Sequence, residues 1–358
     1  MRVCILGNSL SSLTLAKALV NENIYVDVYS QFKDPKHNKS RTIGISRSNI
    51  DFFNHNIIDI RKLLWKLNKI EIYTDNLKNE KLLNFENGNN QLFSIFKNYD
   101  LYKVLNKDLK KSKLFKKKIK FKFATFANNY DLIINCDYNH SITKKFFSKK
   151  IEKSYNSLAY TTIIQHKKIS NNTAIQIFTK KGPIAFLPIS DKKTSIVYSL
   201  HNNNSKNKFD LRSLIEKYNP KYSIQKIEKI ENISLKSLNL RSYYHNNIIA
   251  FGDLLHRLHP LAGQGFNMTM RDLRELMNII KNKKDLGLPL DISVGIEFEK
   301  NTKHKNLLFS NGIDLVHEFF NLERKTNNKI LSKTIQYFGK NPSLNRIFTK
   351  FADNGIMI

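Results

Sequence analysis

The order of apolar and polar positions along this chain predicts most of its elements before any chemistry is considered. In RVCILGNSLSSLTLAKALVNENIYVDVYS, residues 2–30, a continuous apolar run predicts a strand at about 2–6, Gly7 a turn, and the helical period that follows a helix from about Ser9 to Val20. A second strand at 24–29 completes a βαβ start. A helix-like pattern runs from about Ser48 to Leu67, and charged hairpin-like segments occupy 70–97. Leu101, Val104, Leu105 and Leu109 recur at helix spacing within 98–111, with lysines on the other face. Ile119, Phe121 and Phe123 alternate with lysines, the mark of a half-buried strand, and YDLIINCD reads as a fully buried parallel strand ending at Asp137.

Between about 155 and 240 the pattern changes to successive strand-like runs punctuated by Pro183 and Pro188, which predicts a mostly antiparallel sheet in a separate layer. NNIIAFGD then returns to a buried strand, followed by a loop, a helix from near Phe266, and several helices with polar breaks from 295 onward. Strands of the nucleotide-binding type thus bracket the antiparallel section. The fold class is α/β, with two units interleaved in sequence: residues 1–70, 98–154 and 241–290 in the first, 71–97 and 155–240 in the second, and 291–358 as a C-terminal helical region.

Composition changes this picture little. Its 41% hydrophobic content is that of a folded protein, and the length of 358 residues suits two or three cooperating units. Sixty Lys+Arg against thirty Asp+Glu give a formal charge of +30, which raises nucleic acid or an anionic membrane as a partner. Lysine and asparagine are abundant along the whole length, however, so much of the charge reads as a solvated shell, and no nucleic-acid recognition motif is present. Cys4 and Cys136 lie in apolar surroundings without metal-ligand spacing and read as buried thiols of a reducing compartment. No apolar run reaches the length of a spanning helix, and MRVCILG is too short for a signal peptide, so a cytoplasmic location is expected.

Two stretches carry candidate chemistry. The first βα turn places Gly7, Ser9 and Ser12 where a dinucleotide fold has G-x-G-x-x-G, the bare backbone that lets a pyrophosphate reach the helix N-terminus. Ser30 stands where an acidic residue would hold the adenosine ribose. The second stretch is GDLLHRLHPLAGQGFNMTMRD. The chain has only 12 glycines, against a usual share of roughly 7 per cent, yet Gly252, Gly263 and Gly265 fall together here. Asp253 ends a strand, where open α/β sheets bind ligands, and the glycines bring N–H groups to a helix start that carries partial positive charge. Such a place suits a ligand that becomes anionic, as a reduced flavin does, with Asp253 accepting from ribityl hydroxyls; a helix-start turn with glycines for tight packing is the plainer alternative. His256 and His259, three residues apart, lack a carboxylate-rich neighbourhood in sequence and read as loop-fixing rather than as metal ligands or bases.

The string Gly-Asp-x-x-His-x-x-His-Pro-Leu-Ala-Gly-Gln-Gly-x-Asn at 252–267 resembles the signature of the ubiquinone-biosynthesis flavin monooxygenases, relatives of p-hydroxybenzoate hydroxylase. RTIGIS at 41–46, KGPIAFLPI at 181–189 and SNGIDLVHEFF at 310–320 match that family in order, so the resemblance covers nearly the whole chain. It implies a Rossmann-like FAD-binding domain interleaved with an antiparallel-sheet substrate domain, and hydroxylation of a polyprenylated phenol by O₂ through a flavin C4a-hydroperoxide, with NAD(P)H or another donor as reductant. Carried over, Gly7 and Ser9 would face the pyrophosphate, Asp253 the ribityl chain, Arg41 the cofactor, and Gly263, Gln264, Gly265 and Asn267 the ring edge. Pro260, Gly263, Gln264 and Gly265 would do most of the electrostatic work of catalysis. No metal is implied.

The sequence departs from the family at Ser9, Ser12 and Ser30, and in CDYNHSITK at 136–144, where Asp137 and Ser141 keep their places but Tyr138 replaces a glycine and Lys144 an arginine. These changes leave open a flavin-poor accessory subunit of the biosynthetic complex, or a hydroxylase of a soluble aromatic. A prenylated substrate implies work at the inner-membrane surface beside other enzymes of the pathway. Lysines of KKSKLFKKKIKFK, 110–122, could each add roughly a kilocalorie near anionic lipid, a solvated hairpin being the commoner meaning of such a run.

Overall fold

A computed structural model describes residues 1–30, 39–77, 80–86, 91–119, 129–201, 210–258, 263–326 and 329–339. Among them, three sheets organise the chain. The first is six-stranded, with β16 (Tyr244–His245), β17 (Ile248–Ala250), β9 (Leu132–Asn135), β1 (Arg2–Leu6), β2 (Tyr25–Ser30) and β8 (Phe115–Ile119) in that spatial order. All its neighbours run parallel except β16 and β17. Its central strands are apolar on both faces, and Ile5, Leu6, Ile133, Ile134 and Ile249 are wholly buried. Helix α1 (Leu10–Asn21) crosses from β1 to β2 and buries Leu13, Leu15 and Leu19 completely, each worth about 1.5–3 kcal/mol against exposure.

The second sheet has nine strands. Its path is β18 (His256–Arg257), β15 (Glu231–Leu240), β10 (Lys150–His166), β13 (Lys193–His201), β12 (Gly182–Pro188), β11 (Thr173–Thr179), β5 (Lys69–Thr74) and β6 (Lys81–Glu86), with β14 (Ile224–Ile227) pairing with β10. Every pairing is antiparallel but β11 with β5. Short helix α5 (Leu211–Lys217) covers one face through Leu211 and Ile215, against Ile196, Tyr198 and Phe186. The third sheet joins β3 (Thr42–Ser46), β7 (Phe93–Lys97) and β4 (Trp65–Leu67), and links the other two.

The remaining helices are α2 (Arg47–Asn56), α3 (Asn98–Leu109), α4 (Ser141–Phe146), α6 (Gln264–Asp285), α7 (Ile292–Thr326) and α8 (Lys329–Gly339). Helix α7 runs from the parallel sheet to the large one. Near its start Phe298 packs on Tyr243; further along, Tyr155 hydrogen-bonds Asp314, Lys153 pairs with Glu318 at 2.7 Å, and Phe178 stacks on Phe320.

Several expectations need correction. The apolar pattern of 48–67 forms no single helix: α2 ends at Asn56, because Asn21 of α1 donates to the carbonyls of Asn56 and Ile57 at 2.9 and 2.8 Å, and Trp65 enters a strand opposite Ile95. Of the helices expected from 295 onward, the first runs unbroken for 35 residues, Ile292 to Thr326, through Asn311 and Gly312; α8 follows it, and residues 340–358 lie outside the described ones. Ile119 is 51% exposed; the buried position of β8 is Phe115, four residues earlier. Phe121 and Phe123 lie outside the described residues.

Candidate functional site

Parallel pairing sets the carboxyl ends of β1, β9 and β17 side by side, where Gly7, Cys136–Asp137 and Gly252–Asp253 follow in turn. The approach is close. Gly7 has φ +108°, and a Cβ there would stand 3.3 Å from the Asp137 nitrogen; at Gly252, φ +68°, it would stand 3.0 Å from Ser11 Cβ in the first turn of α1. Only glycine meets both demands. Asp253 is exposed and Asp137 half-buried, so two carboxylates line this edge. Beneath them, burial pushes the Cys136 thiol up to about 12; a hydrogen bond to Ser12 opposes the shift, and the charges of Asp137 and Asp253 add to it.

The serines of the first turn act on their own helix. Ser9 is the N-cap, its hydroxyl accepts from the Ser12 amide at 3.2 Å, and Ser12 Oγ accepts from the Ser9 amide at 3.3 Å, a reciprocal capping box. Two of the amides that a G-x-G-x-x-G turn leaves bare are thereby satisfied internally, while those of Leu10 and Ser11 receive no such cap. Asn8, between Gly7 and Ser9, is buried; Tyr102 donates to its Oδ1 at 3.0 Å and its Nδ2 has no partner. Ser30 ends β2 beside Ile119.

Gly263 opens α6 in the left-handed region at φ +62°, with the site of its missing Cβ 3.5 Å from the Gly44 nitrogen of β3. Gln264 is buried with Oε1 unpartnered, and a Cβ on Gly265 would meet nothing within 4 Å. The glycine turn therefore combines one contact with β3 and one open flank. Asn267 is fully buried, and protein takes up its side chain: Oδ1 accepts from the Ser46 amide at 2.9 Å and from Asn49 at 3.0 Å, while Nδ2 donates to the Gly44 carbonyl at 3.1 Å. Arg41 is exposed just before β3, its carbonyl accepting from Asn98. Gly44, Arg41 and the 263–267 turn are thus brought together by β3. Pro260 and His259 lie outside the described residues.

A buried network missed in the sequence reading underlies this turn. His256 Nε2 hydrogen-bonds Asp272 Oδ2, whose other oxygen accepts from Asn306 Nδ2 at 2.8 Å; His256 and Asp272 are 2% and 1% exposed. The network joins β18, α6 and α7. Its only sequence signal is a histidine sixteen positions before an aspartate on the apolar face of a helix, too weak to pair them without coordinates.

Comparison with known proteins is consistent with this geometry. Residues 127–283 match the profile of the FAD binding domain. Among curated relatives, the mitochondrial ubiquinone biosynthesis monooxygenase COQ6 of Xenopus tropicalis is 25% identical over 239 residues, 54% of this chain and 51% of that protein. The 3-demethoxyubiquinol 3-hydroxylase of Escherichia coli K12 is 25% identical over 168 residues, 44% and 42% of the two chains. The chain spans about half the length of the curated relatives it matches. Solved structures agree in fold over nearly all of both chains. p-Nitrophenol 4-monooxygenase of Pseudomonas putida superposes with TM-score 0.77 at 12% identity, covering 99% of this chain and 98% of that one. FAD-bound HpxO of Klebsiella pneumoniae gives 0.76 at 12% identity, covering 98% and 99%. Motif order, cofactor-domain profile and fold agree: the chain is similar in sequence to the FAD-dependent monooxygenases of ubiquinone biosynthesis and has the p-hydroxybenzoate hydroxylase-like fold.

Proposed function

We propose that this chain is an FAD-dependent monooxygenase that hydroxylates the ring of a polyprenylated phenol. Two observations carry the reading: Gly7 and Gly252–Asp253 meet at the carboxyl edge of the parallel sheet, and a left-handed Gly263 opens α6 against β3 with open space at Gly265. The residues fit an extended dinucleotide. The glycines at 7 and 252 leave no room for side chains, Asp253 offers an exposed acceptor to ribityl hydroxyls, and the uncapped amides of Leu10 and Ser11 remain for a phosphate. Asn8 Nδ2 in the first turn and Gln264 Oε1 at the start of α6 are buried polar atoms that lack a protein partner.

The chain is proposed to divide as its sequence pattern suggests, with 1–70, 98–154 and 241–290 for FAD, 71–97 and 155–240 for substrate, and 291–358 as a C-terminal helical region. When bound, reduced flavin would supply the two electrons that activate O₂, one oxygen atom of which enters the ring while the other leaves as water, and NAD(P)H is the expected source of those electrons. The protein's share is positioning. Gly7 and Ser9 would border the pyrophosphate, Arg41 would lie against the cofactor, and the backbone of Gly263, Gln264 and Gly265 would meet the ring edge, where the α6 N-terminus favours negative charge. Pro260, outside the described residues, is proposed for the same electrostatic role. Asn267 acts through the loop, holding it on β3 by two hydrogen bonds and on α2 by a third, from Asn49.

The test is a titration of the purified chain with FAD, followed by O₂-dependent NAD(P)H oxidation with a short-chain prenylated phenol and, in parallel, the same phenol without its tail. One flavin per chain and hydroxylated prenyl product support the reading. Turnover of the tail-free phenol alone would shift it to a soluble aromatic substrate. Absence of flavin binding at high FAD would remove the enzyme reading and favour an accessory subunit, a role the internal capping of Ser9 and Ser12 would then explain. Peripheral attachment to an anionic membrane and association with other enzymes of ubiquinone biosynthesis belong to the same proposal. Among the described residues no helix is long and apolar enough to cross a membrane.

A further inference from the structure

Away from the glycine turn, the ends of β10 and β15 and the flank of α7 enclose a pocket of about 240 Å³. Its wall is apolar: Ile151, Leu240, Tyr243 and Leu307. Ile151 and Leu307 are 49% and 39% exposed, so large hydrocarbon side chains stand open to solvent at the pocket. An apolar cavity of about 150 Å³ already takes up a benzene molecule, and at about 30 Å³ per water-sized group this one holds about eight such groups. That is one medium-length chain, and too little for a two-chain lipid.

The charged residues lining the pocket, Arg241 and Lys303, are both cationic. Lys303 pairs with Glu299 at 2.8 Å, and the other Glu299 oxygen accepts from the Tyr243 amide at 2.7 Å, so this lysine is neutralised. Arg241 is exposed, its backbone amide bonds the Lys149 carbonyl, and its guanidinium has no ion-pair partner among the described residues. Asn239, also in the lining, donates from Nδ2 to Ser310 at 2.9 Å and leaves a buried Oδ1 without a partner. If the amide is turned, the Ser310 hydroxyl donates instead and Nδ2 becomes the bare atom, a donor to an anion.

We propose that this pocket binds a single-chain anionic amphiphile, a medium-chain carboxylate, with its hydrocarbon between Ile151, Leu240, Tyr243 and Leu307 and its carboxylate at Arg241. The charge match selects the occupant. A neutral chain would gain the apolar wall and leave Arg241 unanswered, whereas a carboxylate takes a bidentate guanidinium contact as well. None of these residues belongs to the flavin-facing turn, so the site stands or falls independently of the monooxygenase reading.

The experiment is calorimetric titration of the full chain with decanoate, with decyl maltoside as a neutral chain of equal length and with acetate as a head group alone, all below micelle formation. Decanoate is expected to bind once per chain, decyl maltoside at least tenfold more weakly, and acetate without saturation. Arg241→Glu should weaken decanoate at least tenfold and leave decyl maltoside unchanged, while Leu307→Trp, which fills the pocket, should remove both. Circular dichroism of each variant checks the fold, and Arg241→Glu, at an exposed position, keeps the test valid even if the tryptophan is not tolerated. Equal affinities for decanoate and decyl maltoside, or decanoate binding indifferent to Arg241→Glu, would overturn the proposal.

Discussion

Asn267→Ala separates two roles for a residue at the centre of the glycine turn. If Asn267 touches cofactor only, its loss weakens FAD binding and leaves the cofactor-free protein as stable as before. The geometry gives a different expectation. The side chain is fully buried, and its removal strands the Ser46 amide and the Gly44 carbonyl, which it engages at 2.9 and 3.1 Å, and leaves Asn49 Nδ2, now at 3.0 Å, with only its 3.4 Å bond to the Asn267 carbonyl. A buried polar group left without its partner costs about 1–3 kcal/mol, so two of them, with the weakened third, amount to about 3–6 kcal/mol. Against a total stability of about 5–15 kcal/mol, that is a large fraction. At an m-value of about 3 kcal/mol/M the urea midpoint of the cofactor-free protein should fall by about 1–2 M. FAD affinity should fall as well, because Gly263 and Gly265 lose their tie to β3. Urea unfolding followed by far-UV circular dichroism without FAD, beside flavin fluorescence titration, reads both quantities. A midpoint within 0.2 M of the parent (about 0.6 kcal/mol at that slope), with affinity lost, would refute the clamp and make Asn267 a direct cofactor contact.

Three further expectations follow from other parts of the fold. Asp27 is buried; burial alone would raise its carboxyl, but hydrogen bonds from Tyr130 and Lys118 and the charges of Lys118 and Arg2 hold it below the usual range. Its stabilising share is therefore present above the unfolded carboxylate value of about 3.9 and is lost as pH falls through the lower folded value, so Asp27→Asn should flatten the stability–pH curve below about pH 4; equal slopes in the two proteins would count against this. Gly252→Ala should cost roughly 1–2 kcal/mol for the left-handed backbone, and about as much again for moving Ser11 aside, read as a fall in urea midpoint together with FAD affinity. Cys4 and Cys136 are buried free thiols raised by burial, so a disulfide reagent at pH 8 should label neither in the native protein and both after unfolding; fast native labelling would mean that this part of the core opens.

How far the sequence reveals these features depends on how local their causes are. The βαβ start reads within a residue or so because a run of buried apolar strand positions and an N-cap serine are local signals. The glycine turn is legible for the same reason, since Gly252 and Gly263 are rare residues placed where a left-handed backbone requires them. Where a distant partner decides, reading along the chain fails. Asn21 halts α2 from another helix, Trp65 is drawn into a strand opposite Ile95, and the partners of Asn267 lie more than 200 positions upstream. His256 appeared to lack a carboxylate because Asp272 comes within reach only once α6 has docked. Serines in the dinucleotide turn read as phosphate donors in sequence, yet their hydroxyls are engaged in capping α1, and only the placed side chains reveal that.

The parallel sheet takes its adjacent strands β1, β9 and β17 from residues 2–6, 132–135 and 248–250. During synthesis at about 5–20 residues per second, β1 therefore waits roughly 10–50 s before β17 has been made. Over that interval one edge of an apolar strand pair is open, and open apolar edges invite pairing with other chains. The lysine-rich surface then has a use that needs no ligand. Nascent chains of strong like charge repel one another while their sheet is unfinished, and the last strand to arrive is followed by Gly252, which completes the glycine-lined edge.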